Sequence, residues 1–350
     1  MTSGANFSLT NPYIAAANTS SVTAILSAGR VECDIEHVAR LFYWKVYFLM
    51  IKLERILCPT DLSEDSERTL RYAVGLTRAS GAKLYVCHRP KSPADREAVL
   101  RTMQTLIAAG ETFPTNPTEN GVTDWESVLL EGADLGTIIT AEAESRRADL
   151  IFMRSRRRPF AAALLGSTAE AVARCAPCPI LVMHADEREW LDSETGTISL
   201  RRVLVGYDFS PYSQLALEYA IALAQKYQAE FHMLHVLPAP IVNQPEIAWV
   251  GEETNTPYHQ AARRLQGAVP PEVHLWTNVK HAVQYGQPYR EILSYAETNE
   301  IDLIAMGAHG AGFGIHTLFG SNVDRVLRQA RCPLLIAHPL EIRENFRPSA

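Results

Sequence analysis

Cysteine is scarce in this chain of 350 residues, with six scattered along it. That number makes no disulfide framework and fits a reducing, cytoplasmic setting. An excess of basic charge is missing too. Lys and Arg total 33 against 39 Asp and Glu, a formal net charge of -6. This balance favours solubility and argues against a nucleic-acid footprint. Residues 1–27 carry no charged side chain and so lack the basic start of a signal peptide. The apolar stretch Leu41-Phe42-Tyr43-Trp44-Lys45-Val46-Tyr47-Phe48-Leu49-Met50-Ile51 is interrupted by Lys45. It falls well short of the roughly 20 apolar residues that cross a bilayer, so stable membrane insertion is not expected. Residues 1–53 therefore read as a loosely attached or disordered segment. A surface or partner-binding helix, a docking segment and sequence upstream of the folded unit all stay open, with Met50 as an alternative start.

What is present is a duplication. A chain of this length suggests two cores, and its second half repeats its first. Arg55-Ile56-Leu57-Cys58-Pro59-Thr60-Asp61-Leu62-Ser63 matches Arg202-Val203-Leu204-Val205-Gly206-Tyr207-Asp208-Phe209-Ser210. Each reads as an apolar strand ending in Asp, followed by Ser. Helical stripes follow, with Leu70, Ala73, Val74 and Leu76 in one copy and Leu215, Ala216, Tyr219, Ala220 and Leu223 in the other. Lys83–His88 parallels 230–235, and 128–132 parallels 282–286. The runs 148–153 and 301–306, and those from Cys178-Pro179 and Cys332-Pro333, pair in the same way. Short continuous apolar runs alternating with helices predict, in each copy, a five-stranded parallel sheet covered on both faces. Residues 193–199 read as the polar centre of a linker over 187–199, and Pro238 to Pro257 as an irregular insertion.

The second copy carries a glycine loop. Gly307-Ala308-His309-Gly310, nine further residues, then Gly320-Ser321 lie between the strand Ile301-Asp302-Leu303-Ile304-Ala305-Met306 and a helix opening at Ser321. Glycines let main-chain amides approach an anion, and a helix N-terminus adds partial positive charge. In parallel α/β sheets ligands sit beyond the strand C-terminal ends at the switch point. Asp208 and Gly307 both fall on that edge.

These residues resemble the universal stress protein family in its tandem form, over about 54–186 and 200–340, with a tail at 341–350. The resemblance implies two tandem five-stranded α/β domains of the adenine-nucleotide alpha-hydrolase-like, Rossmann-like type. It further implies pairing through the last strand, here within one chain, with a homodimer as a further option. It implies an ATP site, with Mg²⁺, in the second domain. Asp208, flanked by Gly206 and Tyr207, would face the nucleoside, and Val236 would lie near the adenine. Gly307 and Gly310, after Met306, would contact ribose and phosphates. Gly320, Ser321 and Asn322 would receive phosphate oxygens. Tyr207 is open between base contact and core packing.

The first copy departs from this pattern. Pro59, Thr60 and Asp61 match, and Gly166-Ser167 survive, but Arg154 and Arg156-Arg157-Arg158 replace the first glycines. If those positions need left-handed angles, each substitution costs roughly 1–2 kcal/mol. A degenerate site is expected there, with the arginines either solvated or holding an anion. Cys175-Ala176-Pro177-Cys178 ends a helix instead of starting one, so a structural role is favoured over a redox one. His309 lacks an evident base or nucleophile partner, and the pairs His88/His235 and His184/His338 suggest packing. Ser210 and Ser213 read as helix-capping residues, and Ser321 as a phosphate ligand or N-cap. The leading expectation is a nucleotide-responsive stress regulator that binds ATP, with hydrolysis slow or incidental. A protein-interaction module and a slow ATPase or nucleotidyl transferase are the alternatives.

Overall fold

The apolar runs become ten strands of one sheet in a computed structural model that describes residues 51, 53–90, 97, 100, 101, 104, 105, 124–155, 167–183, 190, 198–239, 256–310 and 320–338. Residues 1–50, the arginines 156–158, Gly166, the Ser167 side chain, His184, residues 191–197 of the expected linker, most of the insertion and the tail lie outside the described residues. The strands are β1 Arg55–Thr60, β2 Lys83–His88, β3 Trp125–Leu129, β4 Leu150–Arg154 and β5 Ile180–Met183, then β6 Arg202–Gly206, β7 Glu230–Leu237, β8 Val279–Tyr285, β9 Leu303–Gly307 and β10 Leu334–Ala337. The α-helices are α1 Glu64–Ser80, α2 Leu135–Ser145, α3 Ser167–Cys175, α4 Pro211–Tyr227, α5 Pro257–Gln266, α6 Pro288–Thr298 and α7 Ser321–Gln329. Pro257 was read as part of an irregular stretch; instead it is the first residue of α5, behind the N-cap Thr256, where proline's fixed φ suits a helix.

The strand order is β3-β2-β1-β4-β5-β10-β9-β6-β7-β8. All pairs are parallel except β5 with β10, where Leu181 stands opposite Leu335 in an antiparallel register. Each run of five strands moves outward from its first strand and then returns to that strand's other side. This reversal opens a crevice between β1 and β4, and again between β6 and β9. Strands β9, β5 and β10 are buried at every residue and β1, β4 and β6 along most of their length, whereas edge strands β3 and β8 are only partly covered.

The duplication extends to polar detail. The Asp302 carboxylate accepts hydrogen bonds from the Arg201 and Arg202 amides at 2.8 and 2.9 Å, tying the start of β6 to that of β9. Asp149 does the same for the Glu54 and Arg55 amides at 3.0 and 2.9 Å. The His88 and His235 rings each donate through Nδ1 to a carbonyl at the end of the neighbouring strand or just past it, Thr60 O at 3.0 Å and Tyr207 O at 2.7 Å. The shared packing role expected of this pair is thus a clamp from one strand onto the end of its neighbour.

Two expectations need correction. β1 and β6 stop at Thr60 and Gly206, before the aspartates, because the chain turns there through Leu62 and Phe209 at φ 57 and 64. The apolar stripe of α4 is rotated: Ser213, Ala216, Leu217, Ala220, Ile221, Leu223 and Ala224 are buried, while Leu215 and Tyr219 are half-buried. Trp190, within the 187–199 stretch, is a core residue. Its ring packs on Tyr72 at 5.3 Å and its amide donates to the Tyr72 hydroxyl at 3.1 Å. Among the described residues no helix is long and apolar enough to cross a membrane.

Candidate functional site

The crevice between β6 and β9 opens into a cavity of about 210 Å³. Strand ends supply Gly206, Leu234, His235, Val236, Met306 and Gly307 to its wall, and the helix starts supply Ser213, Pro288, Ile292, Asn322 and Val323. The loops add Tyr207, Asp208, His309, Gly310 and Gly320. Of the ten residues singled out in the second copy, all but Ser321 line this space. Ser321 is the exposed first residue of α7, and the N-cap is Gly320, which has no side chain to cap with.

The fold brings the N-termini of α4, α6 and α7 to the same cavity. Ser210 caps α4, its hydroxyl accepting from the Ser213 amide at 3.1 Å. Neither Gln287 before α6 nor Gly320 before α7 makes a side-chain cap. The α6 start nevertheless has no amide to spare, since Pro288 has none, the Tyr289 amide donates to Asn322 Oδ1 and the Arg290 amide to the Gln287 carbonyl, so it is the first turn of α7 that keeps donor capacity. Asp208 sits in the turn, with Oδ1 accepting from the Ser210 amide at 3.0 Å while its own amide donates to Ser213 Oγ at 3.3 Å. Its other oxygen faces Gly310, where an added Cβ would come to 2.9 Å from Oδ2. Gly310 thus keeps the carboxylate accessible from the cavity.

Two of the glycines serve another purpose than the spacing suggested. The described glycines with positive φ are Gly81, Gly132 and Gly286. Gly307, Gly310 and Gly320 need no left-handed angle. Gly307 is glycine because a Cβ there would meet the Ser213 amide nitrogen and the Tyr212 Cβ, each at 2.6 Å. The end of β9 packs directly under the first turn of α4. The Gly320 amide donates to the Ala308 carbonyl at 3.0 Å, so it holds the loop to the helix start and is not open to a phosphate. Asn322 likewise turns its side chain sideways, its Oδ1 accepting from the Tyr289 amide at 3.3 Å.

The other end of the cavity is apolar, with Leu234, Val236, Pro288, Ile292 and Met306. Tyr207 is buried, its hydroxyl donating to Gln214 at 2.6 Å, so the ring packs inward while the residue lines the wall. Pro288 and Ile292 went unmentioned in the sequence. The usable signal was proline at the first position of a helix following an edge strand.

His309 lies edge-on to Tyr212 at 5.3 Å, and its Nδ1 has no hydrogen-bond partner among the described residues. Burial holds its pKa below the usual histidine value, favouring the neutral ring. Behind it, burial drives His338 down to about 4, with the nearby His309 acting in the same direction against a main-chain hydrogen bond at Ala173. An unfolded His338 takes its proton near 6.5, so between there and about 4 the unfolded chain binds more protons. Its contribution to stability is complete above the unfolded value and fades as the pH falls. Urea unfolding should therefore show roughly 2 kcal/mol lost through this residue between pH 7 and pH 5, a loss that His338→Leu removes.

The matching crevice of the first copy is built differently. The Asp61 carboxylate accepts from the Ser63 amide and hydroxyl at 3.1 and 2.7 Å and also from the Ser66 hydroxyl, which turns it into the start of α1. Thr60 is buried and Pro59 half-buried. Arg154 ends β4 where Gly307 ends β9. Cys175, the last residue of α3, is exposed and Cys178, just beyond it, is buried, and neither is in a disulfide.

The model of the universal stress protein family matches residues 52–184 and again 199–338. A universal stress protein of Mycolicibacterium smegmatis is 29% identical over 180 residues, covering 50% of this chain and 56% of the relative. One from Mycobacterium bovis is 29% identical over 195 residues, covering 55% and 63%. The chain thus spans less than two thirds of the length of these relatives. The crystal structure of a universal stress protein from Archaeoglobus fulgidus superposes with a TM-score of 0.58 at 23% identity, covering 82% of this chain and 98% of that one. At that identity the likeness speaks for the fold. With two family matches that together cover most of the residues and a shared architecture, the chain belongs to the universal stress protein family.

Proposed function

We propose that the chain binds ATP, one molecule per chain, in the cavity of its second half. One observation carries this reading most directly. At the switch point, Gly310 leaves the Asp208 carboxylate facing a cavity on which three helix N-termini converge. A carboxylate beside an apolar wall suits a ribose and a base, and the uncapped start of α7 suits phosphates. Leu234, Val236, Pro288, Ile292 and Met306 would enclose the adenine, Asp208 would accept from the ribose hydroxyls, and the first turn of α7 with Gly310 would face the phosphates. Mg²⁺ would arrive bound to the phosphate oxygens, as is usual for this ion. The role assigned is nucleotide sensing in a cytoplasmic stress response, without a turnover step.

The domains would run over 54–186 and 200–340, joined by 187–199. Their β5 and β10 would pair them within the chain, and a homodimer could add to that pair. Ligand binding would then stabilise the second domain and, through β10, its contact with the first. At 100 times the dissociation constant a ligand adds about 2.7 kcal/mol to stability. Thermal unfolding of the full chain should accordingly shift upward by several degrees with MgATP, and calorimetric titration should give one site. The absence of both signals would reject the reading.

A further inference from the structure

The two copies differ at one pair of positions that decides how their last two helices meet. α2 and α6 both span 11 residues, and α3 and α7 both span 9. Gly136 and Tyr289 hold the same second place, and Ala171 and Arg325 the same fifth place. In the first copy the helices close on each other, since a Cβ on Gly136 would overlap that of Ala171. In the second copy a ring and a guanidinium stand there, with Arg325 Cζ 4.6 Å from the Tyr289 ring centroid. Arg290 joins them, its Nε donating to the Tyr289 hydroxyl at 2.9 Å.

This group stands at the rim of the cavity. Pro288 precedes Tyr289 and lines the space, as does Asn322, which accepts the Tyr289 amide. Arg325 lies one turn inside α7, and helical side chains lean toward the N-terminus, so its head group is carried toward the helix start. Both arginines are exposed, and neither has a carboxylate partner among the described residues. Neighbouring arginines differ: Arg328 pairs with Asp324 at 2.7 Å and Arg331 with Glu297 at 3.2 Å. The phenol registers the local positive potential, since Arg290 and then Arg325 hold its pKa below the usual tyrosine range. A guanidinium stacked on an aromatic face keeps its edge donors available for a phosphate.

We propose that Arg290 and Arg325, braced on Tyr289 between α6 and α7, clamp the terminal phosphate of a nucleoside polyphosphate seated in the cavity. The clamp rests on the nucleotide reading above and adds to it a preference for triphosphate over monophosphate. The first copy, closed by Gly136 against Ala171, has no counterpart at these positions.

The test is calorimetric titration of the full chain with ATP, AMP and inorganic tripolyphosphate, repeated on Arg290→Gln/Arg325→Gln. A urea midpoint for each protein verifies folding. The ratio of ATP to AMP affinity should fall at least tenfold in the double variant, because each charge-assisted phosphate contact is worth about tenfold or more. The salt dependence of ATP binding should also flatten. An unchanged ratio, whether both nucleotides weaken together or neither does, overturns the clamp and leaves the nucleotide site standing. Tripolyphosphate binding that the double variant loses, with no nucleotide binding by either protein, would leave a bare anion site and overturn both the clamp on a nucleotide and the nucleotide reading. Failure of the wild-type chain to bind all three probes overturns both.

Discussion

Gly310→Arg is expected to weaken MgATP binding by the full chain at least a hundredfold while leaving the fold in place. A Cβ at this position would stand 2.9 Å from Asp208 Oδ2, the end of a side chain that can yield. The added guanidinium would then meet a carboxylate at short range in a partly enclosed cavity and pair with it. Asp208 would lose its access to a ribose, and the side chain would fill space near the helix starts. A hundredfold loss is about 2.7 kcal/mol, within reach of removing one charged acceptor and blocking the cavity together. Stability should change by less than about 1 kcal/mol, since neither a left-handed angle nor a backbone contact is at stake. Titration calorimetry with a parallel urea curve separates the two effects. Binding within twofold of the unaltered chain would remove the cavity from consideration as the nucleotide site.

The largest expected effect on stability comes from Asp302→Ala. Asp302 is buried, with 4% of its surface exposed, and its Oδ2 takes both the Arg201 and Arg202 amides. Hydrogen bonds to a charged acceptor contribute about 1.5–3 kcal/mol each, and orphaned donors add their own desolvation cost. A loss of about 3–5 kcal/mol should follow, seen as a lower urea midpoint with an unchanged slope. Asp149→Ala should cost less, because the Asp149 side chain is 24% exposed and water can replace part of what it gives. Equal losses at the two positions would mean that burial does not set the difference. Both losses below about 1 kcal/mol would mean that these carboxylates do not pin their strands.

Much of the fold was readable from local pattern. Ten short apolar runs announced ten strands because strands buried on both faces need continuous apolar sequence. The duplication fixed which run corresponds to which, and the Asp-Leu-Ile repeat marked β4 and β9 without disclosing why Asp recurs. The glycine spacing pointed to residues that line one cavity, but the structure gives two of the glycines a different purpose. Gly310 does keep the approach to Asp208 open, but Gly307 is required by the closeness of α4, and Gly320 could carry a Cβ at 3.6 Å from its nearest neighbour. No local pattern marked Trp190 as a core residue, because its partner, Tyr72, lies 118 residues earlier.

The order of apolar and polar residues by itself determined the strands, the helices, the repeat and the edge of the sheet on which a ligand would sit, since each follows from a spacing of a few residues. The tertiary structure alone decided the tie from Asp302 to β6, the place of Pro288 and Ile292 in the cavity wall, and the contrast between Gly136 against Ala171 and Tyr289 against Arg325. These depend on distances between segments far apart in the chain. Such distances arise from how strands twist and helices pack, and no local spacing records them.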